Sequence, residues 1–260
     1  MCGIAGVAGP GVTGVRVPVE RMLAALVHRG PDSSGVTEGD GWAIGARRLA
    51  IIDLETGDQP VGNEGGEVQA VLNGEIYNYR ELREGLAARG HRLRSAGDTE
   101  VLVHLWEELG PEMLGRLRGM FALAVFDTRQ RTLFLARDRV GKKPLYWARL
   151  GGRLLFASEL KALRAALPAR PALDRRALAA FLAFGFVPEG QCILQGVEKL
   201  PPAHWLRLDA LTGEVRQRRY WALPGDAAVD VGPAAAAATL LGRLEEAVAL
   251  RLRADVPLAV

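Results

Sequence analysis

Short strand candidates follow one another closely in the middle of the chain, and they constrain the fold more than any other feature. Residues 120–127, 132–137, 144–149 and 153–156 are apolar segments separated by short turns. Helical patterns, with apolar residues at three- and four-residue spacing, flank this group. Strands that cluster together with helices around them predict α+β layers rather than alternating βαβ units.

Composition limits the class of protein further. The 260 residues leave one large domain or two small ones open, and 49% hydrophobic with 24% charged residues is globular and excludes wholesale disorder. A net charge of +3 is too weak to predict nucleic-acid binding. No apolar run reaches the roughly 18 residues that span a membrane, and we find no signal peptide. Two cysteines cannot form a disulfide scaffold, so we expect a cytoplasmic protein.

Local patterns predict turns and helix starts. Asn73-Gly74 is a hairpin-turn dipeptide, flanked by strand candidates at 68–72 and 75–77. Helix N-caps are predicted at four further positions, the first with a capping-box glutamate three residues later. These positions are Asn78 (with Glu81), Asp98, Ser158 and Asp174.

The C-terminal part changes in character near Trp221. Residues 222–233 are rich in Pro, Gly, Asp and Ala, which is typical of a linker. Residues 234–253 show an amphipathic helical pattern, and residues 255–260 begin an apolar segment that predicts a buried strand. Since the sequence stops within this segment, we expect the chain to be the front part of a longer protein.

Cys2 stands out by its position. Removal of Met1, which small second residues permit, would put a thiol and a free α-amine on one residue. The amine has an ordinary pKa of about 7.7–8.0, so it can take the thiol proton and supply a thiolate nucleophile. The alternative interpretation of Cys2 alone is a small buried residue that opens a strand.

Several motifs in order connect Cys2 to a known family. They are Met1-Cys-Gly-Ile-Ala-Gly6, His28-Arg-Gly-Pro-Asp32, Arg48-Leu-Ala-Ile-Ile-Asp53, Leu72-Asn-Gly-Glu-Ile-Tyr-Asn78, Gly97-Asp-Thr-Glu100, Phe184-Gly-Phe-Val-Pro188 and Gly196-Val-Glu-Lys-Leu-Pro-Pro-Ala-His204. Together they resemble the N-terminal-nucleophile (class II) glutamine amidotransferase domain of glutamine-hydrolysing asparagine synthetases. The resemblance covers nearly all of the chain.

The resemblance implies a fold and a domain order. The fold is a four-layer α-β-β-α sandwich of two antiparallel sheets, followed by the beginning of an α/β ATP-pyrophosphatase-like synthetase domain. We therefore expect a glutaminase domain at 1–210, a connection at 211–233 and the truncated start of a synthetase domain at 234–260. A Ser-Gly-Gly-x-Asp-Ser loop for ATP is expected just after the last residue, and the 260 residues do not contain one.

The resemblance also implies how glutamine is bound. The Arg48 guanidinium, a planar fork that matches a carboxylate, grips the α-carboxylate of the substrate. The neighbouring backbone of Ile51 and Ile52 completes this contact, and Leu49 and Ala50 lie in the same substrate-binding stretch. Without the other motifs, Arg48 would also fit an ordinary surface arginine on a strand.

The remaining site residues surround the reacting amide. Asp98 takes the α-ammonium group, the Asn73 side chain and the Gly74 N–H form an oxyanion hole, and Glu75 contributes its backbone. Attack by Cys2 then releases ammonia, which leaves a γ-glutamyl thioester for hydrolysis to glutamate. No metal or cofactor is expected for this half, whereas ATP and Mg²⁺ are expected for the full-length synthetase, with aspartate as the acceptor. The resemblance allows a homodimer, and neither nucleic acid nor a membrane is an expected partner.

Other candidate residues fit structural roles better. His28 lies at a helix end, and His91, His104 and His204 show no metal-ligand spacing. Cys192 fits an inert thiol. The segment Gly141-Lys-Lys-Pro144 lacks the spacing of a phosphate-binding loop and is interpreted as a connection between strands.

Three alternatives to an asparagine synthetase stay open at this point. A synthetase of the same architecture could amidate a different carboxylate, such as a peptide or a cell-surface precursor. A class II amidotransferase of sugar-phosphate or purine synthesis is a second alternative, which the segment Gly196–His204 disfavours. A stress- or nitrogen-responsive protein of this fold, acting by binding without catalysis, is the third.

Overall fold

The computed structural model describes residues 2–225 and 232–257, and within them the chain forms twelve strands and six α-helices. The strands are β1 (Gly3–Ala8), β2 (Ser33–Gly39), β3 (Trp42–Arg48), β4 (Val61–Gly62), β5 (Val68–Ile76), β6 (Gly119–Asp127), β7 (Thr132–Arg137), β8 (Tyr146–Leu150), β9 (Arg153–Ala157), β10 (Val197–Lys199), β11 (His204–Asp209) and β12 (Val215–Arg219). The helices are α1 (Arg16–Ala24), α2 (Tyr79–Ala88), α3 (Val101–Leu109), α4 (Leu160–Ala166), α5 (Arg175–Phe184) and α6 (Pro233–Arg251), and a 3₁₀ helix spans Gly110–Gly115.

The strands form two six-stranded sheets. The first has the order β10-β8-β9-β1-β3-β2 and the second has the order β12-β11-β7-β6-β5-β4. Neighbouring strands are antiparallel throughout both sheets. Since β12 pairs with β11, the second sheet extends to Arg219, into the region that the sequence assigns to a connection after residue 210.

The two sheets pack face to face because their strands are apolar on both sides. Along β6, Ala122, Ala124 and Phe126 belong to the layer between the sheets. The alternate residues of the same strand, Leu123 and Val125, point to the opposite side. A strand that is buried on both faces requires a covering layer outside each sheet.

Helices provide these outer layers. Val19, Met22 and Leu23 of α1, together with Ala162 and Leu163 of α4, pack on the outer face of the first sheet. Helices α2 and α3 cover the second sheet in the same way through Leu86, Leu102 and Leu105, among others. The order of layers is α-β-β-α, which confirms the predicted α+β sandwich.

The hairpin predicted at Asn73-Gly74 is wrong. Strand β5 runs unbroken through both residues, with Asn73 opposite Ala122 and Gly74 opposite Phe121 on β6. A Cβ atom on Gly74 would lie 2.0 Å from the carbonyl oxygen of Met120, so glycine permits close approach of two backbones here. Continuous pairing with β6 outweighs the local turn preference of the dipeptide.

Two of the four predicted N-cap positions, Asp98 and Ser158, are wrong, whereas Asn78 does occupy the N-cap position of α2 but forms no side-chain cap hydrogen bond. The side chains of all three residues bind distant backbone instead. Asn78 donates to the carbonyl of Arg116 and accepts from the N–H of Arg118, at 3.0 and 2.9 Å. Ser158 Oγ accepts from the N–H of Ile4 at 3.0 Å, which ties α4 to β1. Both contacts join segments that are far apart in sequence, so the local pattern could not reveal them.

The other two predicted caps have different outcomes. Asp98 lies before the start of α3, whose N-terminal flanking residue is Glu100, and its carboxylate accepts from the N–H of Ile76 instead. Asp174 is a true N-cap, since it accepts from the N–H of Ala177 at 2.8 Å. Its confirmed prediction rests on local chemistry alone.

The C-terminal segment departs from its prediction in part. Helix α6 forms where the amphipathic pattern predicts it, but Leu240, Leu241 and Leu244 are exposed. Residues 255–256 form a bend, residues 255–257 contain no strand where a buried strand was predicted, and residues 258–260 of that prediction lie outside the described residues. The bend packs against the loop after β3, since the N–H of Asp53 donates to the Asp255 carboxylate at 2.7 Å.

Candidate active site

One pocket opens at the ends of β1, β3 and β5, where Cys2, Arg48 and Gly74 lie on its wall. Eight of the ten residues predicted for catalysis or glutamine binding line it. They are Cys2, Arg48, Leu49, Ile51, Ile52, Gly74, Glu75 and Asp98. Two predicted residues lie beside the pocket without lining it: Asn73 is fully buried next to Gly74, and the N–H of Ala50 donates to the Asp32 carboxylate at 2.8 Å.

Cys2 is buried at the start of β1. Its Sγ atom lies 3.8 Å from the carbonyl oxygen of Leu49, to which the thiol donates. Burial raises the pKa of the Cys2 thiol above its ordinary value. A thiol in this position stays protonated at neutral pH, so nucleophilic attack requires a base that removes the proton.

Arg48 is held at the end of β3 by the loop that follows it. Its Nη2 atom donates to the carbonyls of Ile52, at 3.1 Å, and of Asp53, while Nη1 lies 3.2 Å from the exposed Asp58 carboxylate. The guanidinium is almost completely buried yet lines the pocket. These contacts fix a planar cation where a carboxylate of a bound molecule could pair with it.

Asp98 supplies a buried negative charge to the same pocket. Its Oδ2 atom accepts from the N–H of Ile76 at 2.9 Å, which anchors the carboxylate to the end of β5. Burial raises the pKa of Asp98 to about 6, and the neighbouring Glu75 carboxylate acts in the same direction. A cation that binds next to Asp98 would therefore stabilise its ionised form.

Asn73 presents a hydrogen-bond donor without an acceptor. Its Oδ1 atom accepts from Arg29 Nη2 at 3.5 Å, so the amide nitrogen, Nδ2, lies on the side of the amide away from Arg29. Among the described residues, the buried Nδ2 atom has no hydrogen-bond partner. An unsatisfied buried donor costs roughly 1–3 kcal/mol, so its retention beside the pocket points to an acceptor on a bound molecule.

Sequence reasoning missed two basic residues. Arg29 joins three groups: Nε donates to the Cys2 carbonyl at 2.9 Å, Nη1 pairs with Glu159 at 2.9 Å, and Nη2 reaches Asn73. Its position inside the motif His28-Arg-Gly-Pro-Asp32 was a signal that could have identified it.

Lys143 is the second missed residue. The segment Gly141–Pro144 does connect β7 and β8, as predicted, but the buried Lys143 also lines the pocket. Burial lowers the pKa of its ammonium group, whereas the nearby Glu75 carboxylate acts in the opposite direction. No local pattern could have identified Lys143, because only the packing of the two sheets brings it to Cys2.

Comparisons with known proteins agree with this arrangement. Residues 1–221 match the family described as glutamine amidotransferase domain. Glutamine-hydrolyzing asparagine synthetase 1 of Bacillus subtilis (strain 168) is 40% identical over 184 residues, which cover 71% of this chain and 29% of that protein. Putative glutamine-hydrolyzing asparagine synthetase 2 of Methanocaldococcus jannaschii is 32% identical over 282 residues, which cover 99% of this chain and 53% of that protein. The chain thus spans about 29–53% of the length of these relatives.

Solved structures show the same fold. Glutamine phosphoribosylpyrophosphate amidotransferase from B. subtilis superposes with a TM-score of 0.62 at 19% identity, over 85% of this chain and 49% of that chain. A structure described as the allosteric regulatory enzyme of purine biosynthesis gives 0.62 at 20% identity, over the same shares of the two chains. Both similarities concern the fold alone, whereas the family match extends from residue 1 to residue 221. The chain therefore belongs to the glutamine amidotransferase domain family.

Proposed function

We propose that this chain hydrolyses glutamine to glutamate and ammonia through a thioester on Cys2. The observation that carries the proposal is the pocket itself, which combines the Cys2 thiol with a buried cation, Arg48, and a buried anion, Asp98. Glutamine is a zwitterion with a neutral side-chain amide. A site of this kind can pair both charges at one end and present the amide to the thiol at the other.

The nucleophile would be activated by its own residue. With Met1 removed, the α-amine of Cys2 takes the Sγ proton, directly or through a water molecule, and the thiolate attacks the amide carbon of glutamine. The raised pKa of the buried thiol supports the need for this base. The carbonyl oxygen becomes an oxyanion, and the new C–S bond completes a tetrahedral intermediate.

The oxyanion would be stabilised by Asn73 Nδ2 and the N–H of Gly74. Each donor of this kind contributes about 3–4 kcal/mol to transition-state stabilisation. The protonated α-amine then gives its proton to the departing nitrogen, and ammonia leaves as the C–N bond breaks. Water attacks the remaining thioester, which releases glutamate and restores the Cys2 thiol.

We further propose that in the longer protein the ammonia amidates aspartate at the expense of ATP. The curated relatives that are named glutamine-hydrolyzing asparagine synthetases support this choice of acceptor. ATP with Mg²⁺ is expected in the part of the protein beyond this chain, and neither is expected for glutamine hydrolysis. A homodimer is the proposed assembly.

A cytoplasmic location is part of the same proposal. Both cysteines of the described residues are free thiols, which fits a reducing compartment. Across residues 2–225 and 232–257, the helices are too short or too polar to span a bilayer.

The hydrolytic activity is tested by measuring glutamate released from glutamine by the purified chain and by its Cys2→Ala variant. We expect hydrolysis by the first and none by the second. Equal rates for both proteins would refute the thioester route. With aspartate, ATP and ammonia, the 260-residue chain should form no asparagine, and asparagine formation would contradict the assignment of amidation to the longer protein.

A further inference from the structure

Two histidines and two glutamates converge on the outside of the second sheet, away from the pocket. His91 follows α2, His104 and Glu107 lie three residues apart on α3, and Glu64 lies between β4 and β5. One ligand atom from each of the four side chains lies within 4.8 Å of the others. The sequence shows no ligand spacing for the two histidines, because the fold rather than the local pattern brings them together.

The nitrogens of His104 are buried without hydrogen-bond partners among the described residues. The ring is fully buried, yet neither Nδ1 nor Nε2 has a partner, and neither does Glu107 Oε2. Instead, Nδ1 lies 3.4 Å from Glu64 Oε2 and 3.5 Å from Glu107 Oε2. The unsatisfied nitrogen therefore faces two carboxylates across distances that suit ligands sharing an ion.

His91 approaches the same point with the same ring atom. Its Nδ1 atom lies 3.8 Å from Glu64 Oε1, and the centroids of the two imidazole rings are 4.7 Å apart. Ligands of a tetrahedral zinc ion with bonds near 2.0–2.1 Å are separated by roughly 3.3 Å. The observed separations need only small side-chain adjustments to reach that geometry. Glu64 Oε1 accepts from the N–H of Arg92 at 2.7 Å, which leaves Oε2 facing His104.

Each histidine has a carboxylate on its opposite nitrogen. Nε2 of His91 lies 3.1 Å from Glu108 Oε1, and Nε2 of His104 lies 3.9 Å from Glu100 Oε1. A carboxylate that is hydrogen-bonded to the far nitrogen, as Glu108 is to His91, fixes the tautomer of a metal-binding imidazole and raises its basicity. Both rings are thus arranged with Nε2 toward a carboxylate and Nδ1 toward the centre of the cluster.

We propose that Glu64, His91, His104 and Glu107 bind a divalent transition-metal ion, with zinc as the best match. Two neutral imidazoles and two carboxylates suit zinc, whereas magnesium and calcium prefer oxygen ligands alone. The two carboxylates carry a charge of −2, which the ion neutralises. No group is oxidised or reduced, because the ion serves only to join these elements.

The position of the ion gives it a structural role at the pocket. His91 and His104 lie on either side of the segment that carries Asp98 in the sequence. Glu100, the partner of His104, accepts from the N–H groups of Arg94 and Ser95 at 2.7 and 2.8 Å. The ion would therefore hold both ends of the segment whose residues line the pocket.

A protonated His104 is the competing explanation. Burial lowers its pKa, but the carboxylates of Glu100, Glu64 and Glu107 raise it by more, so the net direction is upward. An imidazolium would pair with these carboxylates without any metal. This explanation predicts no zinc binding, so a zinc titration separates it from the proposal.

The test is calorimetric titration of Zn²⁺ into the full chain after dialysis against a chelator. The Cys2→Ala background is used throughout so that zinc does not bind the pocket thiol. We expect one equivalent of saturable binding. At free zinc about 100-fold above its Kd, the thermal unfolding midpoint should rise by about 5–10 °C.

Variants locate the ion. His91→Gln should reduce zinc affinity at least about 100-fold, and Glu108→Gln, which removes only the carboxylate behind His91, should reduce it about 10- to 100-fold. His204→Gln and Glu112→Gln, which alter residues outside the cluster, should bind zinc like the parent. Metal-free unfolding midpoints show that each variant is folded. Absence of saturable zinc binding, or equal affinity in the His91→Gln and His204→Gln proteins, would overturn the proposal.

Discussion

Arg29 Nε donates a hydrogen bond to the main-chain carbonyl of Cys2 at 2.9 Å. The same guanidinium reaches Asn73 Oδ1 through Nη2 and pairs with Glu159 through Nη1. One partly buried side chain thus fixes both the backbone of the proposed nucleophile and the orientation of the proposed oxyanion donor. A lysine ammonium group lacks the planar set of N–H donors that lets one guanidinium reach all three partners.

Replacing Arg29 by lysine should slow turnover while substrate binding is retained. Lysine keeps the positive charge but cannot hold Cys2 and Asn73 together, so kcat should fall by about 10- to 100-fold, less than the loss from deleting an oxyanion donor. The KM for glutamine should change little, since Arg29 is outside the groups that pair with its charges. Steady-state kinetics of Arg29→Lys measure both constants.

The matched control is Arg16→Lys, which changes an exposed arginine paired with Glu20. It should leave kcat and KM at their original values. If Arg29→Lys behaved in the same way, the positioning role of Arg29 would be wrong. Asn73→Ala removes a proposed oxyanion donor outright, so it shows the largest loss that mispositioning of Asn73 could cause. Its kcat is expected to fall by about 100- to 1000-fold.

Glutamine binding should weaken in acid because Asp98 becomes protonated. Burial raises the pKa of Asp98 to about 6, so its carboxylate is charged above that pH and neutral below it. Below pH 6, the Kd for glutamine should rise by up to about tenfold per pH unit, since only the ionised form pairs with the α-ammonium group. Calorimetry on the Cys2→Ala variant between pH 5 and 7.5 measures binding without hydrolysis.

Asp98→Asn should bind glutamine weakly, with a Kd that varies little over the same pH range. Glu75, whose pKa is also raised by burial, titrates in the same pocket and is checked with Glu75→Gln. That variant should keep the rise in Kd in acid but with its onset at a lower pH, because the Glu75 charge no longer raises the pKa of Asp98. A constant Kd from pH 5 to 7.5 in the Cys2→Ala protein would exclude Asp98 as the partner of the ammonium group.

Arg48→Lys should raise KM much more than it lowers kcat. Nη2 of the Arg48 guanidinium donates to the carbonyls of Ile52 and Asp53. A lysine ammonium group cannot keep those hydrogen bonds and also bind a carboxylate through two parallel hydrogen bonds. We expect KM to rise by about tenfold or more, since one charge-assisted hydrogen bond contributes roughly 1.5–3 kcal/mol. A lower kcat with unchanged KM would instead indicate a role in the chemical step.

Gly74→Ala should damage both stability and activity. The added Cβ would lie 2.0 Å from the carbonyl oxygen of Met120, so β5 must move away from β6 and carry the Gly74 N–H with it. We expect a lower unfolding midpoint and glutamine hydrolysis reduced by about 100-fold or more, as for loss of an oxyanion donor. Thermal unfolding and the hydrolysis assay are measured on the same sample.

Gly85→Ala is the control, because Gly85 lies within α2, where a Cβ meets only the end of the Arg89 side chain, at 3.2 Å. This substitution should stabilise the protein by about 0.5–1 kcal/mol and leave hydrolysis unchanged. If Gly74→Ala were equally harmless, the close approach of β5 and β6 at the pocket would not be required.

The sequence is sufficient to predict the layered fold because alternation and helical periodicity are local signals that tertiary packing preserves. Strand β7 and the N-cap at Asp174 follow their predictions closely for this reason. Asn73-Gly74 fails as a turn because pairing with β6 is a long-range interaction that the dipeptide does not encode. Ser158 fails as a cap in the same way, since its partner Ile4 lies 154 residues away.

The site residues show the same division. A sequence motif identifies a pocket residue when a side chain within the motif itself lines the pocket. This is the case for Cys2, Arg48 and Asp98. Lys143 and the cluster around His104 were not predicted, because packing between elements creates them and no local spacing records it. Residues that come together only through long-range packing therefore cannot be predicted from local sequence patterns.

Cys2, as the N-terminal residue, is the proposed nucleophile. This role is tested by treating the chain with a diazoketone analogue of glutamine and locating the adduct by mass spectrometry of the intact protein and its peptides. We predict an N-terminus without Met1 and a single adduct on Cys2, which excess glutamine prevents. A retained Met1 in protein that hydrolyses glutamine, or an adduct on Cys192 instead of Cys2, would exclude Cys2 as the N-terminal nucleophile.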